Sequence, residues 1–128
     1  MIKISTVKNP QFAVSFSKLM SAPLKGKTMF ALRRMSKAFE NGVSIFEETR
    51  KAICENASLK DEEGKAIIAE GKYAIPEEAM AGVTNLIAEA AESTVEIGNP
   101  IPFSDVEDAK LTTIDLIVLE AIIEEPTE

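Results

Sequence analysis

The 128-residue sequence predicts a single α+β domain with about four helices, one of them long and central, and a small, mainly antiparallel sheet. Three observations predict it. From about Lys27 to Asn56, apolar residues recur every three or four positions, the period of an amphipathic helix. The pair Glu70-Gly71 separates two short runs at the length of a tight hairpin turn. Proline, glycine and capping residues divide the rest into short segments.

Residues 2–8 alternate apolar and polar and predict a short strand with Ile2 and Ile4 on one face. Asn9-Pro10 then opens a helix, with Asn9 as cap and Pro10 at the first position, where its missing N–H costs nothing. Phe12, Phe16, Leu19 and Met20 share a face of that helix, and Pro23 and Gly26 end it. The long helix carries a core stripe of Leu32, Met35, Phe39, Val43, Phe46 and Ile53, with Arg33, Lys37, Glu40, Glu47 and Lys51 on a wet flank. Gly42 interrupts it at about 1 kcal/mol relative to alanine, which suits close approach of a neighbour.

A charged turn at residues 60–65 leads into the hairpin of residues 66–69 and 72–75. Pro76-Glu77-Glu78 starts a helix with acids where they complement its dipole, and Met80, Val83, Ile87 and Ala90 give it one apolar face. Residues 93–97 read as a strand and residues 98–100 as a turn. Ile101-Pro102-Phe103 reads as an edge strand, because proline lacks a ladder donor. Thr112 or Thr113 caps the last helix, with Asp115 in its first turn and Leu111 as a staple. Ile114, Ile117, Val118, Ala121 and Ile122 form its apolar face, widened by Leu116, Leu119 and Ile123. Glu124, Glu125 and Glu128 lie at the negative end of the dipole and predict fraying.

The net charge of −7 is unevenly spread: residues 1–40 hold eight basic side chains and one acid, residues 41–128 six basic and twenty acidic. Such a distribution can steer a partner. A single cysteine, Cys54, precludes an intrachain disulfide. With no apolar N-terminal run and no stretch long enough to span a bilayer, the expectation is a cytoplasmic protein without a membrane partner.

The sequence has no histidine, which removes the commonest general base, the usual serine and cysteine triads and most zinc sites. It has no glycine-rich phosphate loop, and Cys54 near the apolar stripe reads as a buried structural thiol. The expectation is a protein that is not an enzyme and carries no cofactor or metal. Its acidic groups, Asp61, Glu62, Glu63, Glu77, Glu78, Asp105, Glu107 and Asp108, lack the spacing of a calcium loop and read as solvated surface available to a basic partner.

Two further patches fall on the long helix or just before it. Lys25, Lys27, Arg33, Arg34 and Lys37 form a basic cluster able to meet phosphates. The overall acidity and the scarcity of aromatics argue against nucleic acid as the partner. Ala31, Ala38, Ile45 and Ala52, with Phe30 and Arg34, form a second stripe away from the core one. Either the helix is buried on two sides of its own domain, or this face meets a partner or another copy.

The segment Pro100-Ile101-Pro102-Phe103-Ser104-Asp105-Val106-Glu107, followed by Lys110-Leu111-Thr112-Thr113-Ile114-Asp115-Leu116, resembles the C-terminal part of small, uncharacterised bacteriophage and prophage proteins of unknown function. The region from Arg33-Arg34 to Phe46-Glu47-Glu48-Thr49-Arg50 is similar in style to their helical N-terminal half. The resemblance implies a phage origin and a place in the infected bacterial cytoplasm or in the particle. The expected function is a phage-encoded, non-enzymatic accessory protein that binds a host protein or complex and inhibits a defence or another host process. The alternatives are a virion assembly or packaging component, and a small-molecule or nucleotide-binding module formed between subunits of a homo-oligomer.

Overall fold

The structure, a computed structural model, describes residues 1–124. In chain order the elements are β1 (Ile2–Lys3), α1 (Ile4–Val7), α2 (Pro10–Ser21), α3 (Gly26–Ala57), β2 (Ile68–Ala69), β3 (Lys72–Tyr73), α4 (Glu77–Ala91), β4 (Thr94–Val95), β5 (Ile101–Pro102), α5 (Thr113–Val118) and β6 (Ile123–Glu124). The fold is α+β, with the long central helix and, among the described residues, two-stranded sheets only. The chain groups into two compact units, Met1–Val43 with the segment from Thr94 onward, and Ser44–Ser93.

In the first unit, Asn9 caps α2 as expected, its side chain accepting from the Gln11 N–H at 2.9 Å. Helix α2 buries Phe12, Phe16 and Leu19, and α3 buries Leu32, Met35 and Phe39, while Met20 turns outward. The three phenylalanines form one cluster: the Phe39 ring meets Phe12 at 5.5 Å and Phe16 at 5.3 Å, both edge-to-face. Such contacts add about 0.5–1.5 kcal/mol each beyond the buried area. At Gly42 an added Cβ would lie 2.6 Å from Val95 Cγ2 and 3.1 Å from Ile4 Cδ1, so the missing side chain admits β4 and α1 to the helix surface.

Two expectations for this unit are corrected. Residues 2–8 are not one strand: only Ile2 and Lys3 pair, antiparallel with Val95 and Thr94, and the chain then coils into α1. The partner strand is two residues long, so the following backbone groups bond locally instead, Lys8 N–H to the Ile4 carbonyl and Asn9 N–H to that of Thr6. The last helix ends at Val118 rather than continuing through Ile123. Leu119 and Ile122 are fully buried beyond it, and Ile123 pairs with Ile101 in the parallel β5–β6 ladder, closed by Ile101 N–H to the Ile122 carbonyl at 2.8 Å. Ending the helix gives β5 a ladder partner. Ile114 and Ile117, expected on its apolar face, are 60% and 61% exposed. The fraying expected at Glu125 and Glu128 lies outside the described residues.

The second unit holds the C-terminal part of α3, the β2–β3 hairpin and α4. Glu70 and Gly71 take φ of 53° and 78°, the two left-handed positions of a type I′ turn, so the predicted hairpin forms. Asp61 closes the preceding charged turn by accepting from the N–H groups of Glu63 and Lys65. The buried residues of this unit are Phe46, Ser58 and Val83, with Ile53 and Cys54 half-buried. Cys54 is therefore less enclosed than expected. Ile87 and Ala90 share the inner side of α4, whereas Met80 is exposed.

Candidate functional site

The first unit carries a cleft of about 1000 Å³. One wall is the N-terminal part of α3, where Lys27, Ala31 and Arg34 follow each other at helical spacing. The other is the segment after β4, from Glu96 to Pro102, and Asp105 and Glu124 complete the rim. Thr28, Met35 and Ile101 are buried beneath it. The left-handed φ of 77° at Gly98 turns the chain between Ile97 and Pro100. Ile97, Gly98 and Asn99 make no backbone–backbone hydrogen bond among the described residues, so this wall presents free backbone donors and acceptors.

The cleft carries both charges. Lys27 and Arg34 stand on the helical wall, and Glu96, Asp105 and Glu124 come from three different stretches of chain. Among the described residues none of the five forms an ion pair. Arg34 instead rests over the Phe30 ring, 5.4 Å from its centre, and Phe30 is itself 68% exposed. At an exposed site that contact contributes about 0.5–1 kcal/mol.

The cleft thus gathers parts of all three patches expected from the sequence: Lys27 and Arg34 of the basic cluster, Ala31 and Arg34 of the second helical stripe, and Asp105 of the acidic groups. Lys25, Arg33 and Lys37 are exposed outside it. On the stripe, Ile45 is 55% exposed and Ala52 is exposed, while Ala31 and Ala38 are half-buried. Glu107 and Asp108 are exposed beside the half-buried Asp105, and Asp61, Glu62, Glu63, Glu77 and Glu78 are exposed in the second unit. Glu96, Asn99 and Glu124 escaped the sequence reading; the turn signal Gly98-Asn99-Pro100 pointed only to the bend that places the first two.

A second polar constellation is structural. Asp115 is fully buried; its carboxylate accepts from Ser15 Oγ at 2.6 Å, from Lys18 Nζ at 2.8 Å and from the Thr112 N–H at 3.0 Å. Thr112 Oγ1 in turn accepts from the Asp115 N–H, completing a capping box at α5. The Lys18 ammonium, then the Ser15 hydroxyl and the Thr112 N–H, hold this carboxyl well below the usual carboxylate range. Ser15 is fully buried as well, so its hydroxyl ties α2 to α5 and meets no substrate. In the second unit the Tyr73 hydroxyl donates to Glu55 Oε1 at 2.9 Å, which raises the tyrosine pKa.

Among the described residues no group of three or more His, Cys, Asp or Glu side chains is placed to hold a metal ion, and no helix is long and apolar enough to cross a membrane. No protein-family model, curated protein or solved structure matches the chain.

Proposed function

We propose that this chain is a non-enzymatic, phage-encoded accessory protein that captures a protein of the infected bacterium in the cleft between α3 and the Glu96–Pro102 segment. One observation carries the reading: five charged side chains of both signs line the cleft and none of them pairs with another. Small-molecule pockets are mostly apolar with a few polar groups. A lining so rich in uncompensated charge, beside free backbone groups, suits a polypeptide segment whose charges complement it and whose wrong competitors are repelled. The resemblance of residues 100–116 to phage proteins supports the setting, and inhibition of a host defence or other host process is the role that setting favours.

The test is affinity capture from bacterial lysate with the wild-type chain and a variant carrying Lys27→Glu and Asp105→Lys. Both substitutions invert charge in the cleft. The expected outcome is a specific host protein retained by the wild type and lost by the variant at moderate salt. Equal retention by both chains, or no protein above background, refutes the reading.

A further inference from the structure

The first turn of α3 stands at one end of the cleft, where Lys27 and Thr28 line it. A helix start leaves N–H groups without intrahelical acceptors, and a capping side chain usually takes one of them. Lys25 holds the cap position here, and its side chain has no acceptor atom. The Met29 N–H bonds to the Lys25 carbonyl, whereas those of Gly26, Lys27 and Thr28 make no hydrogen bond among the described residues. An added Cβ at Gly26 would meet nothing within 4 Å, so the approach to these groups is open. Thr28 gives a second, independent sign. It is only 3% exposed, yet its hydroxyl has no partner among the described residues. Every fully enclosed side-chain nitrogen or oxygen among them does have a partner, so Thr28 Oγ1 is not sealed in, and the opening it faces is the cleft. Cα–Cβ bonds tilt toward the N-terminus of a helix, which brings this hydroxyl to the side of the free N–H groups. An unpaired hydroxyl in a buried position is unfavourable, and a ligand that supplies the acceptor relieves it.

We propose that this turn is an oxyanion subsite of the cleft and receives a carboxylate of the captured segment, an assignment that rests on the reading of the cleft as a polypeptide site. The Thr28 hydroxyl and the free N–H groups donate to the carboxylate oxygens. The helix dipole and the Lys27 ammonium favour their negative charge. A phosphate offers the same acceptor chemistry. Glu96, Asp105 and Glu124 elsewhere on the cleft, however, repel a doubly charged phosphate more strongly than a singly charged carboxylate. The same three acids favour a basic side chain beside that carboxylate. The recognised segment therefore carries an acidic and a basic side chain as neighbours.

The experiment titrates the purified full chain with the blocked dipeptide acetyl-Glu-Lys-amide, with acetyl-Gln-Lys-amide and with inorganic phosphate, and follows the backbone amide resonances by NMR. Saturable shifts at Gly26, Lys27 and Thr28 are expected with the acidic peptide and not with its glutamine counterpart. Thr28→Val keeps the shape of the side chain and removes its hydroxyl. It is expected to weaken the acidic peptide on the order of tenfold, the loss of a hydrogen bond to a charged group, while the Tm of the free chain stays level or rises. Lys27→Gln weakens the peptide as well, and Lys37→Gln, outside the cleft, leaves its affinity at the wild-type value. Absence of shifts at the three amides, wild-type affinity in Thr28→Val, or a fall in its Tm overturns the proposal. Phosphate bound as tightly as the acidic peptide identifies a free-anion site and overturns the assignment to a polypeptide carboxylate. No host protein enters the titration, so its failure and a failed capture from lysate are separate results.

Discussion

The same substitution at two helical glycines should have opposite effects. In an exposed helix interior Gly→Ala is worth about 1 kcal/mol of stability, through helix propensity. Gly82 lies in α4 with nothing within 4 Å of an added Cβ, so Gly82→Ala should deliver that gain whole, about 3–5 °C in Tm for a chain of this length. Gly42 offers the same propensity gain, but its Cβ would sit 2.6 Å from Val95 Cγ2. Val95 is buried and β-branched, held by its ladder to Ile2, so it has little freedom to withdraw. Overpacking of this kind costs about 1–3 kcal/mol, which sets the net effect of Gly42→Ala between about zero and 2 kcal/mol of destabilisation. A double-mutant cycle with Val95→Ala separates the terms, because removing the valine methyls frees the space. Gly42→Ala should be stabilising in that background. Thermal and urea denaturation read all four chains and Gly82→Ala. If Gly42→Ala stabilises the wild type as much as Gly82→Ala does, α3 and β4 do not approach each other as described.

Further expectations concern the C-terminal half of the first unit. Leu119→Ala removes a fully buried side chain and should cost about 2–5 kcal/mol, whereas Ile117→Ala, two residues earlier but 61% exposed, should stay within about 0.5 kcal/mol; similar losses at both positions in urea denaturation would restore the longer helix that the sequence suggested. The Asp115 carboxyl is held below its unfolded pKa, so its contribution to stability is complete above about pH 4 and is lost as pH falls through the folded value. The advantage in Tm of the wild type over Asp115→Asn should therefore be constant from about pH 5 to pH 7 and shrink progressively below pH 4; a constant difference down to pH 2 would show that the carboxylate is not selectively stabilised by the fold.

Local signals carried into the structure where the chemistry that writes them is local. Asn9-Pro10 caps α2, Glu70-Gly71 turns the hairpin, and Thr112 with Asp115 caps α5, because each motif satisfies its own backbone within four residues. The long helix was legible from periodicity alone. The misreadings came where a distant partner decides. Residues 2–8 alternate as a strand does, but the two-residue length of β4 limits the ladder. Residues 119–123 keep the apolar pattern of a helix, yet β5, whose Ile101 lies twenty-two residues earlier in the chain, draws Ile123 into a strand. The cleft follows the same division. Its helical wall was visible as Lys27, Ala31 and Arg34, whereas Glu96 and Glu124 join it only through the β1–β4 and β5–β6 pairings.

Asp115 shows how one residue can serve a local and a distant role together. Its backbone N–H and carboxylate complete the capping box with Thr112, a role readable from the sequence. The remaining capacity of the carboxylate is met from α2, where Ser15 and Lys18 lie three residues apart and so project from the same helix face. Ser15 is held in turn by Gln11, four residues earlier on that face, at 3.2 Å. A buried carboxylate is tolerated only where such donors are supplied, and Ser15 and Lys18 supply them in a single orientation of α5 against α2. Apolar contacts alone would allow the two helices to slide or rotate with modest loss; the charge network does not, because any displacement leaves an uncompensated anion in the interior. The short α5 is thereby fixed at its first turn by charge, and beyond its last turn by the buried Leu119 and Ile122. Glu124 then enters the cleft rim from a strand whose approach is set at both ends, which is why a helix of six residues suffices to place it.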